Sequence, residues 1–504
     1  MLSPAIPGTP PTAAHPGRWL VLAIVSVALL LIVIDMTVLY TALPRLTHDL
    51  AASASAKLWI INVYSLVVSG LLLGMGTLGD RLGHKRLFIA GLAVFGVASL
   101  AAAFAPGTGL LIAARAVLGV GAAMMMPATL SLIRLNFGDD RERALAIGIW
   151  ASVASGGAAF GPVVGGVLLE HFWWGSVFLI NVPIVLIALP LAWRCIPTHA
   201  GHPSRPWDLL GSLQVMVGLV ACTFAIKELG KPAPDGLLAA AALALGVGAL
   251  WVFVRRQRRM AHPLLDLNLF RHTGFSTAVM AALVASATLL GMELVFSQRM
   301  QLVLGRSPLE AGLAVLPLPI AAFVIGPIAG RLLPRWGAGR LLTLALLAAG
   351  LGMGGYLALH QAPALSQALS LALLGAGVGA AMTAASATLL MSAPADRAGM
   401  AASVEEVSYE LGGALGVTVM GSLLSAVYTR TLALPPTLPA LPVPVSVHDS
   451  LDDALRAAEQ LPDAAALALT QAASTAFDHG FAAVLLLATA LLLAMAWGVK
   501  RRMG

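Results

Sequence analysis

The chain has 504 residues, of which 59% are hydrophobic and only 11% are charged. Water-soluble domains carry about 25% charged residues, so the composition argues against a soluble protein, and the chain is too apolar to be disordered. Its two cysteines exclude a disulfide scaffold and a multi-thiolate metal site. We expect an integral membrane protein that needs no metal and no cofactor.

Apolar stretches long enough to cross a bilayer follow one another along most of the chain. A spanning helix needs about 20 mostly apolar residues. Fourteen stretches meet this requirement, at about 19–42, 58–78, 88–106, 109–132, 144–168, 176–195, 207–227, 236–254, 274–297, 309–330, 340–360, 365–391, 400–425 and 480–499. The predicted fold class is an all-α membrane protein with fourteen transmembrane helices.

The basic residues indicate the orientation. An even number of spans puts both termini on one side of the membrane. With the N-terminal segment 1–18 in the cytoplasm, the inner segments carry 21 Lys and Arg residues and the outer segments carry 8, as the positive-inside rule requires. The net charge of +7 therefore reflects topology and not a nucleic-acid-binding domain. We predict a multi-pass protein of the bacterial cytoplasmic membrane. Its partner is the lipid bilayer, and we expect it not to bind nucleic acid.

Short motifs recur between the two halves of the chain at a nearly constant offset. Gly119-Val-Gly-Ala-Ala-Met124 recurs as Gly377-Val-Gly-Ala-Ala-Met382, and the loop motif that begins at Gly76 recurs from Gly330. The two offsets are 258 and 254 residues. Such agreement favours an internal repeat of helices.

The repeat predicts a 6 + 2 + 6 organisation. We expect six-helix bundles at 19–195 and 274–499, with an inserted helix pair at 207–254 between them. Two parallel bundles are a transporter design that holds the substrate between them near the midplane. Within the second bundle, the proline-rich and then acidic segment 429–478 is predicted to be an extracellular loop with one or two short helices. It either gates the outer vestibule or serves as a loosely ordered spacer.

Charged groups within apolar spans are costly, and they are candidates for function for that reason. The six are Asp35, Arg115, Glu293, Glu405, Glu406 and Glu410. A carboxylate such as Asp35 must face water, pair or be protonated, and alternation between charged and neutral forms is what proton-coupled transport requires. The alternative is a structural hydrogen bond to a neighbouring helix. Arg115 either pairs with an acid such as Asp35 or extends to the interface.

Three acids lie close together in the thirteenth span. Glu406 and Glu410 are four residues apart and share one helix face, whereas Glu405 points about 100° away. They predict a cavity lining that is negative when ionised; the alternative is solvation at the cytoplasmic end of the helix. Glu293 lies near the outer end of its span, where we expect interfacial solvation.

Two glycine-rich segments and several aromatic residues complete the candidates. The loop between spans two and three allows a sharp turn, and its charges would clamp one conformational state; its residues are Gly76, Asp80, Arg81, Gly83, Lys85 and Arg86. Span five carries small residues for close helix packing and a proline bend, namely Gly157, Gly161, Pro162, Gly165 and Gly166. The aromatic candidates for a cation-binding pocket, which otherwise serve packing, are Tyr40, Trp59, Tyr64, Trp150 and Tyr409.

At these residues the chain resembles the major facilitator superfamily over essentially its whole length. It is most similar to the fourteen-helix drug:proton antiporters of the EmrB/QacA family. The stretch from Ile34-Asp35-Met-Thr37-Val38 to Ala42-Leu43-Pro44 resembles that family's first-helix motif, whose acid is implicated in coupling and cation recognition. It departs from the motif at Tyr40, where the family usually has Asn.

Four further matches extend the resemblance. The loop 76–86 resembles the superfamily's inner-loop motif. The segment 111–121 resembles the fourth-helix motif implicated in proton transfer through Arg115, with Leu118 where Gln is common. The glycines of span five resemble the antiporter motif, which points to export. The acidic stretch 405–410 is similar to the thirteenth helix of quaternary-ammonium exporters and methyl viologen resistance proteins, which favours cationic substrates.

The resemblance implies proton-driven efflux of lipophilic mono- and dicationic compounds, such as quaternary ammonium biocides, dyes, bisbiguanides or diamidines. We expect the chain to work as a monomer with protons and these cations as its small-molecule partners. One alternative is export of a neutral or anionic metabolite or antibiotic, in which the acids only couple protons. Another is an intramembrane enzyme, which would need a polar catalytic cluster that the sequence does not show.

Overall fold

In the computed structural model, the described residues are 17–199, 201, 207–229, 234–260, 263–392, 398–434 and 444–503. Most of the predicted N-terminal segment 1–18 and the proline-rich part of the predicted loop 429–478 lie outside these residues. Within the described residues, the secondary structure is helical throughout, because long apolar segments must satisfy their backbone hydrogen bonds internally.

The first half and the insert follow the predicted order of spans. The first half contains α1 (Arg18–Asp49), α2 (Ala54–Leu82), α3 (His84–Ala103), α4 (Thr108–Asn136), α5 (Asp140–His171), α6 (Ser176–Leu179) and α7 (Asn181–Cys195). The inserted pair is α8 (Leu209–Leu229) and α9 (Gly236–Gln257). Helices α6 and α7 together form one span, Ser176–Cys195.

The second half begins after the insert. It contains α10 (Thr273–Gln298), α11 (Pro308–Val315), α12 (Pro317–Trp336), α13 (Ala338–Leu359), α14 (Ala364–Ser392), α15 (Ala398–Thr431), α16 (Leu451–Ala458) and α17 (Asp463–Met503). In the described part of the chain, thirteen helical segments are long and apolar enough to cross a bilayer. The remaining predicted span, 144–168, lies inside α5, a helix of 32 residues.

The predicted loop 429–478 is shorter in the structure, chiefly at its C-terminal end. The preceding helix continues to Thr431, and the final helix begins at Asp463, about five turns before the predicted span at 480–499. The reason is composition: the segment 463–479 is rich in alanine, the strongest helix former, although it is less apolar than a span. The connection between these two helices is the segment 432–462, which contains α16.

The same helix pairs pack in both halves. In the first half, α1 packs on α5, α2 on α4, and α3 on both α4 and α7. In the second half, the corresponding pairs are α10 with α15, α12 with α14, and α13 with both α14 and α17. The repeated glycines permit these approaches, since a Cβ at Gly119 would lie 2.8 Å from the Tyr64 carbonyl and one at Gly377 would lie 2.3 Å from the Ala349 nitrogen. We infer from this pairing that the halves are two repeated bundles.

The inserted pair is attached to the flank of the first half through α2. A Cβ at Gly70 would lie 2.6 Å from that of Met216, so helices α2 and α8 are in close contact there. The Trp207 indole donates a hydrogen bond of 3.1 Å to the Gly74 carbonyl. Helix α8 also contacts α15. The insert therefore lies over the line along which α2 meets the second half.

The two halves meet along α2 with α15 and along α5 with α11. Several hydrogen bonds join them on the predicted outer side, three of which are the following. Asn62 donates to Thr418 at 2.6 Å, Ser297 donates to the Tyr40 carbonyl at 2.8 Å, and Gln301 donates to the Thr41 carbonyl at 2.9 Å. These contacts close the outer side of the molecule between the bundles.

Candidate functional site

The centre of the first half holds an ion pair. Asp35 on α1 is 0% exposed and Arg115 on α4 is 1% exposed. The Arg115 Nη1 atom donates a hydrogen bond to Asp35 Oδ2, and its Nε atom donates to the Ile60 carbonyl at 3.2 Å. Of the two interpretations of Arg115, the structure shows pairing with Asp35.

Two aromatic rings complete the environment of the Arg115 guanidinium. Its Cζ atom lies 4.7 Å from the centroid of the Tyr64 ring and 5.9 Å from that of Phe178. Ring faces attract a cation, so they stabilise the guanidinium where water is excluded. Tyr64 is the one predicted aromatic residue that contacts this ion pair directly.

Asn181 is a member of this cluster that the sequence analysis missed. Its Nδ2 atom donates to Asp35 Oδ1 at 3.3 Å and to Ser99 Oγ at 3.2 Å. Its own amide oxygen is buried and has no hydrogen-bond partner within the described ranges. In the sequence, Asn181 is a single neutral amide within the apolar stretch 176–195. A neutral residue is less costly within a span than a charged one, so it is harder to recognise as a functional residue.

Glu410 faces the first half from α15. The residue lies twelve positions after the start of the helix at Ala398, or about 18 Å along its axis, and it is 5% exposed. Ser65 on α2 donates a hydrogen bond to its carboxylate, which also interacts electrostatically with Arg115. Its Oε2 atom has no hydrogen-bond partner in the part of the chain that the structure describes. Solvation at the cytoplasmic end of the helix is therefore excluded for Glu410.

The other two acids of α15 are partly buried. Tyr409 donates a hydrogen bond of 3.2 Å from its hydroxyl to Glu405 Oε1, and Ser386 on α14 also bonds Glu405. Glu406 interacts electrostatically with both Glu405 and Glu410. Glu405 thus faces the second half while Glu410 faces the first half, as their spacing on the helix predicts.

Glu293 on α10 is partly buried and lies beside the first half. It lines a small cavity of about 20 Å³ together with Tyr40 and Pro162, between α10 and the first half. The helical segment continues to Val303, ten residues beyond Glu293. Tyr40 is its neighbour across the bundles, and solvation of this carboxylate at the membrane interface stays a prediction.

The remaining aromatic candidates lie away from the ion pair. Trp59 packs against Phe224 of the insert, with 6.4 Å between ring centroids. Trp150 donates a hydrogen bond of 3.2 Å to Thr129. Neither contact is with the carboxylates, so packing is the interpretation that the structure favours for these two residues.

In the two glycine motifs, one glycine lies at a turn and two pack against a neighbouring helix. Gly83 has φ +95°, a conformation that favours glycine, at the sharp turn between α2 and α3. Beside it, Asp80 contacts His84 at 3.2 Å, so a histidine is one partner of the loop carboxylate. In α5, Gly161 and Gly165 pack against Thr37 and Val38 of α1, the helix that carries Asp35.

Two halves with the same helix pairings and with charged residues buried within and between them are typical of a secondary transporter. Comparison with family models agrees: the Major Facilitator Superfamily model matches residues 25–417. The chain belongs to this superfamily. It is therefore a multi-pass membrane transporter and not an enzyme.

Two relatives match nearly the whole chain. The methyl viologen resistance protein SmvA of Salmonella typhimurium is 40% identical over 483 residues, which are 96% of this chain and 97% of that protein. The multidrug efflux pump LfrA of Mycolicibacterium smegmatis is 41% identical over 499 residues, 98% of each chain. These similarities confirm the resemblance drawn from the motifs and place the chain in a bacterial cytoplasmic membrane.

A solved structure supports the fold. The crystal structure of a bacterial homologue of the human lysosomal transporter Spinster, in an inward-facing and unoccupied conformation, aligns with a TM-score of 0.67. The alignment covers 97% of this chain and 98% of that one at 17% identity. The likeness confirms an all-α major facilitator fold.

Proposed function

We propose that the chain is a proton-coupled antiporter that exports lipophilic mono- and dicationic drugs from the cytoplasm. Its similarity to a methyl viologen resistance protein and to a multidrug efflux pump supports drug export. The observation that carries the proposal is the Glu410 carboxylate, which is buried between the bundles with one oxygen that lacks a donor among the described residues. Burial of such a group is costly unless a proton or a cation neutralises it.

Arg115 links the two carboxylates. It contacts Asp35 directly and interacts electrostatically with Glu410. A charge that arrives at Glu410 therefore changes the electrostatic environment of Arg115, and with it the contact between Arg115 and Asp35. This arrangement supplies a physical route by which cation binding on α15 alters the protonation of α1.

The proposed cycle is a competition between drug and proton for the same carboxylates. From the cytoplasm, a lipophilic cation neutralises ionised Glu410. After the bundles rearrange, protons from outside neutralise the carboxylates and release the drug. The membrane potential contributes about 2.3 kcal/mol per charge per 100 mV. For dications, Glu406 offers a second carboxylate one helical turn from Glu410.

The test is drug-induced proton leakage from inverted vesicles with an imposed pH gradient. Ethidium is added first and a dicationic bisbiguanide second, to wild type, Asp35→Asn and Glu410→Gln. We expect leakage in wild type and its loss in both variants, because neither replacement can exchange a proton. Glu459→Gln, at an exposed outer carboxylate, is the matched control and should behave as wild type.

Two results would contradict the proposal. Leakage that persists in both variants would show that Asp35 and Glu410 are not required for proton coupling. Correctly inserted wild type that shows no leakage with either drug would reject the cation class, and export of a neutral or anionic metabolite would then be the function to test.

A further inference from the structure

The larger of the two cavities described here lies at the outer end of the molecule, away from the central carboxylates. It has a volume of about 540 Å³ and is bounded by α2, α8, α15 and the connection that contains α16. Asp35, Arg115 and Glu410 do not line it. Its volume is in the range of about 300–1,000 Å³ typical of small-molecule sites.

Of the four charged groups that line this cavity, Lys57 and Asp452 are paired with each other and Asp449 is partly exposed. The Lys57 ammonium also donates to Gln298 Oε1 at 3.0 Å. Burial together with the nearby Asp453 carboxylate raises the pKa of Asp449. Neither Lys57 nor Asp452 is therefore available to a ligand.

The fourth group, Lys227 of the insert, has no such partner. It is 5% exposed, and its ammonium has no hydrogen-bond acceptor in the segments that the structure describes. The ammonium lies 4.0 Å from the centroid of the Trp59 ring. The ring attracts the cation but accepts none of the hydrogen bonds that water would accept. A buried cation in this position requires an acceptor.

The rest of the lining suits a molecule with a charged head and an apolar chain. Helix α2 begins at the cavity wall, where Ser53 is the N-cap and the first turn contains no acidic residue. A helix N-terminus presents free amides and favours an anion. Much of the remaining wall is hydrocarbon, with Leu58, Leu424 and Phe477 among its residues.

We propose that this cavity binds an amphiphile with one anionic head group, a phosphate or a carboxylate. The head group accepts hydrogen bonds from Lys227 and lies by the start of α2, while the hydrocarbon chain packs against Leu58, Leu424 and Phe477. The site is distinct from the central carboxylates and does not depend on the proposed transport cycle.

The test is binding of radiolabelled dodecyl phosphate to the purified full-length protein in a neutral detergent. We expect Lys227→Gln to weaken binding tenfold or more, because the replacement removes the charge but keeps a polar chain of similar length. Lys500→Gln, which removes an exposed lysine at the cytoplasmic end of α17, is the matched control and should bind as wild type. Ser55→Trp places a large side chain in the cavity and keeps Lys227, and it should also abolish binding. It provides a second test of the site if Lys227→Gln fails to fold.

Competition with unlabelled probes defines the ligand class. Inorganic phosphate and dodecanol should each compete at least tenfold more weakly than dodecyl phosphate. Equal binding to wild type, Lys227→Gln and Ser55→Trp would overturn the proposal, as would inorganic phosphate or dodecanol competing as strongly as the amphiphile.

The source of the amphiphile is settled by two further probes. Phosphatidylglycerol that co-purifies with wild type but not with Lys227→Gln would support a membrane lipid as the ligand. Laurate that displaces dodecyl phosphate where phosphatidylglycerol does not would support a soluble single-chain amphiphile. Displacement by neither, with no phosphatidylglycerol co-purified with wild type, would exclude both of these sources. Because the readout is binding, failure here leaves the transport test unaffected.

Discussion

The buried carboxylate of Asp35 illustrates how the molecule accommodates charge residue by residue. Arg115 supplies the opposite charge and Asn181 supplies a second donor. Removal of one partner from a buried ion pair typically costs about 3–5 kcal/mol, because the other charge is left uncompensated. Asn181 holds no charge itself, so its contribution is to position the carboxylate.

Replacement of Asn181 tests this positioning role. Asn181→Leu removes a donor to the ionised Asp35 carboxylate, which disfavours the charged form relative to the protonated one. We expect the midpoint of drug-induced proton leakage to move to higher pH, measured as leakage rate against pH in inverted vesicles. Ser99→Ala removes the other acceptor of Asn181 and leaves the contact with Asp35, so it should shift the midpoint much less. An unchanged midpoint in Asn181→Leu would exclude the role.

A second prediction at this scale concerns Asp449, outside the spans. Its pKa is raised by burial and by Asp453, so the folded state binds a proton at Asp449 before the unfolded state does. Stability therefore rises as the pH falls through the raised pKa, and ionised Asp449 is unfavourable at pH 7. Asp449→Asn should raise the melting temperature slightly at pH 7, and the difference should vanish below about pH 4, near the unperturbed pKa. A variant that melts below wild type at pH 7 would contradict this sign.

The central residues were predictable to different degrees. Asp35, Arg115 and Glu410 are charged residues in apolar stretches, so their energetic cost identifies them from composition alone. Which of them meet depends on helix rotation and packing, which local patterns do not encode; the contact between Arg115 and Asp35 was one of two interpretations. Asn181 and Ser65 are neutral and carry little hydropathy signal, so only the structure identified them.

Among the helices, the contact between α1 and α5 depends on small residues. A Cβ at Gly161 would lie 1.8 Å from Thr37 Oγ1 and 2.8 Å from Thr37 Cβ. By contrast, a Cβ at Gly248 on α9 would meet no atom within 4 Å. The same substitution should therefore have opposite consequences at the two positions.

Gly161→Ala should destabilise the protein by about 1–3 kcal/mol through overpacking. Gly248→Ala should be neutral or stabilising by up to about 1 kcal/mol, since alanine is the better helix former. Thermal unfolding in detergent measures both, and transport should fall only in Gly161→Ala. Equal melting temperatures for the two variants would show that α1 and α5 adjust without cost.

Helix ends were harder to predict than helix positions. Every predicted span coincides with a helix, because about 20 apolar residues are a strong signal. The final helix begins well before its apolar stretch because alanine favours helix without favouring a bilayer. The helical segment that contains Glu293 likewise continues past its predicted end, to Val303.

For the molecule as a whole, the outer side is held closed by groups from both bundles and from α16. Asp452 pairs with Lys57 of α2 and accepts a hydrogen bond of 3.1 Å from Thr47 of α1, while Lys57 also bonds Gln298 of α10. The segment 429–478, which contains α16, was predicted to be a gate or a spacer. These contacts support the gate, since they must break if the bundles separate on this side.

Asp452→Asn should therefore favour outward opening. Lys57 would be left buried without a counter-charge, and a bias of 1.4 kcal/mol changes a population ratio about tenfold. Spin labels at Asp49→Cys and Thr431→Cys, in a background that lacks Cys195 and Cys222, should report a larger population at long distance. Asp463→Asn, at an exposed carboxylate at the start of α17, is the control; a wild-type distance distribution in Asp452→Asn would rule out the gate.

The inserted helices have a consequence for the path a lipophilic molecule takes from the bilayer. The bundles meet along two lines, α2 with α15 and α5 with α11 and α12, and α8 covers the first by contacting both of its helices. Lateral entry from the lipid is thus obstructed on one flank. We therefore expect a lipophilic compound in the inner leaflet to enter beside α5 and α12 in preference to α2 and α15, because the insert covers only the line between α2 and α15.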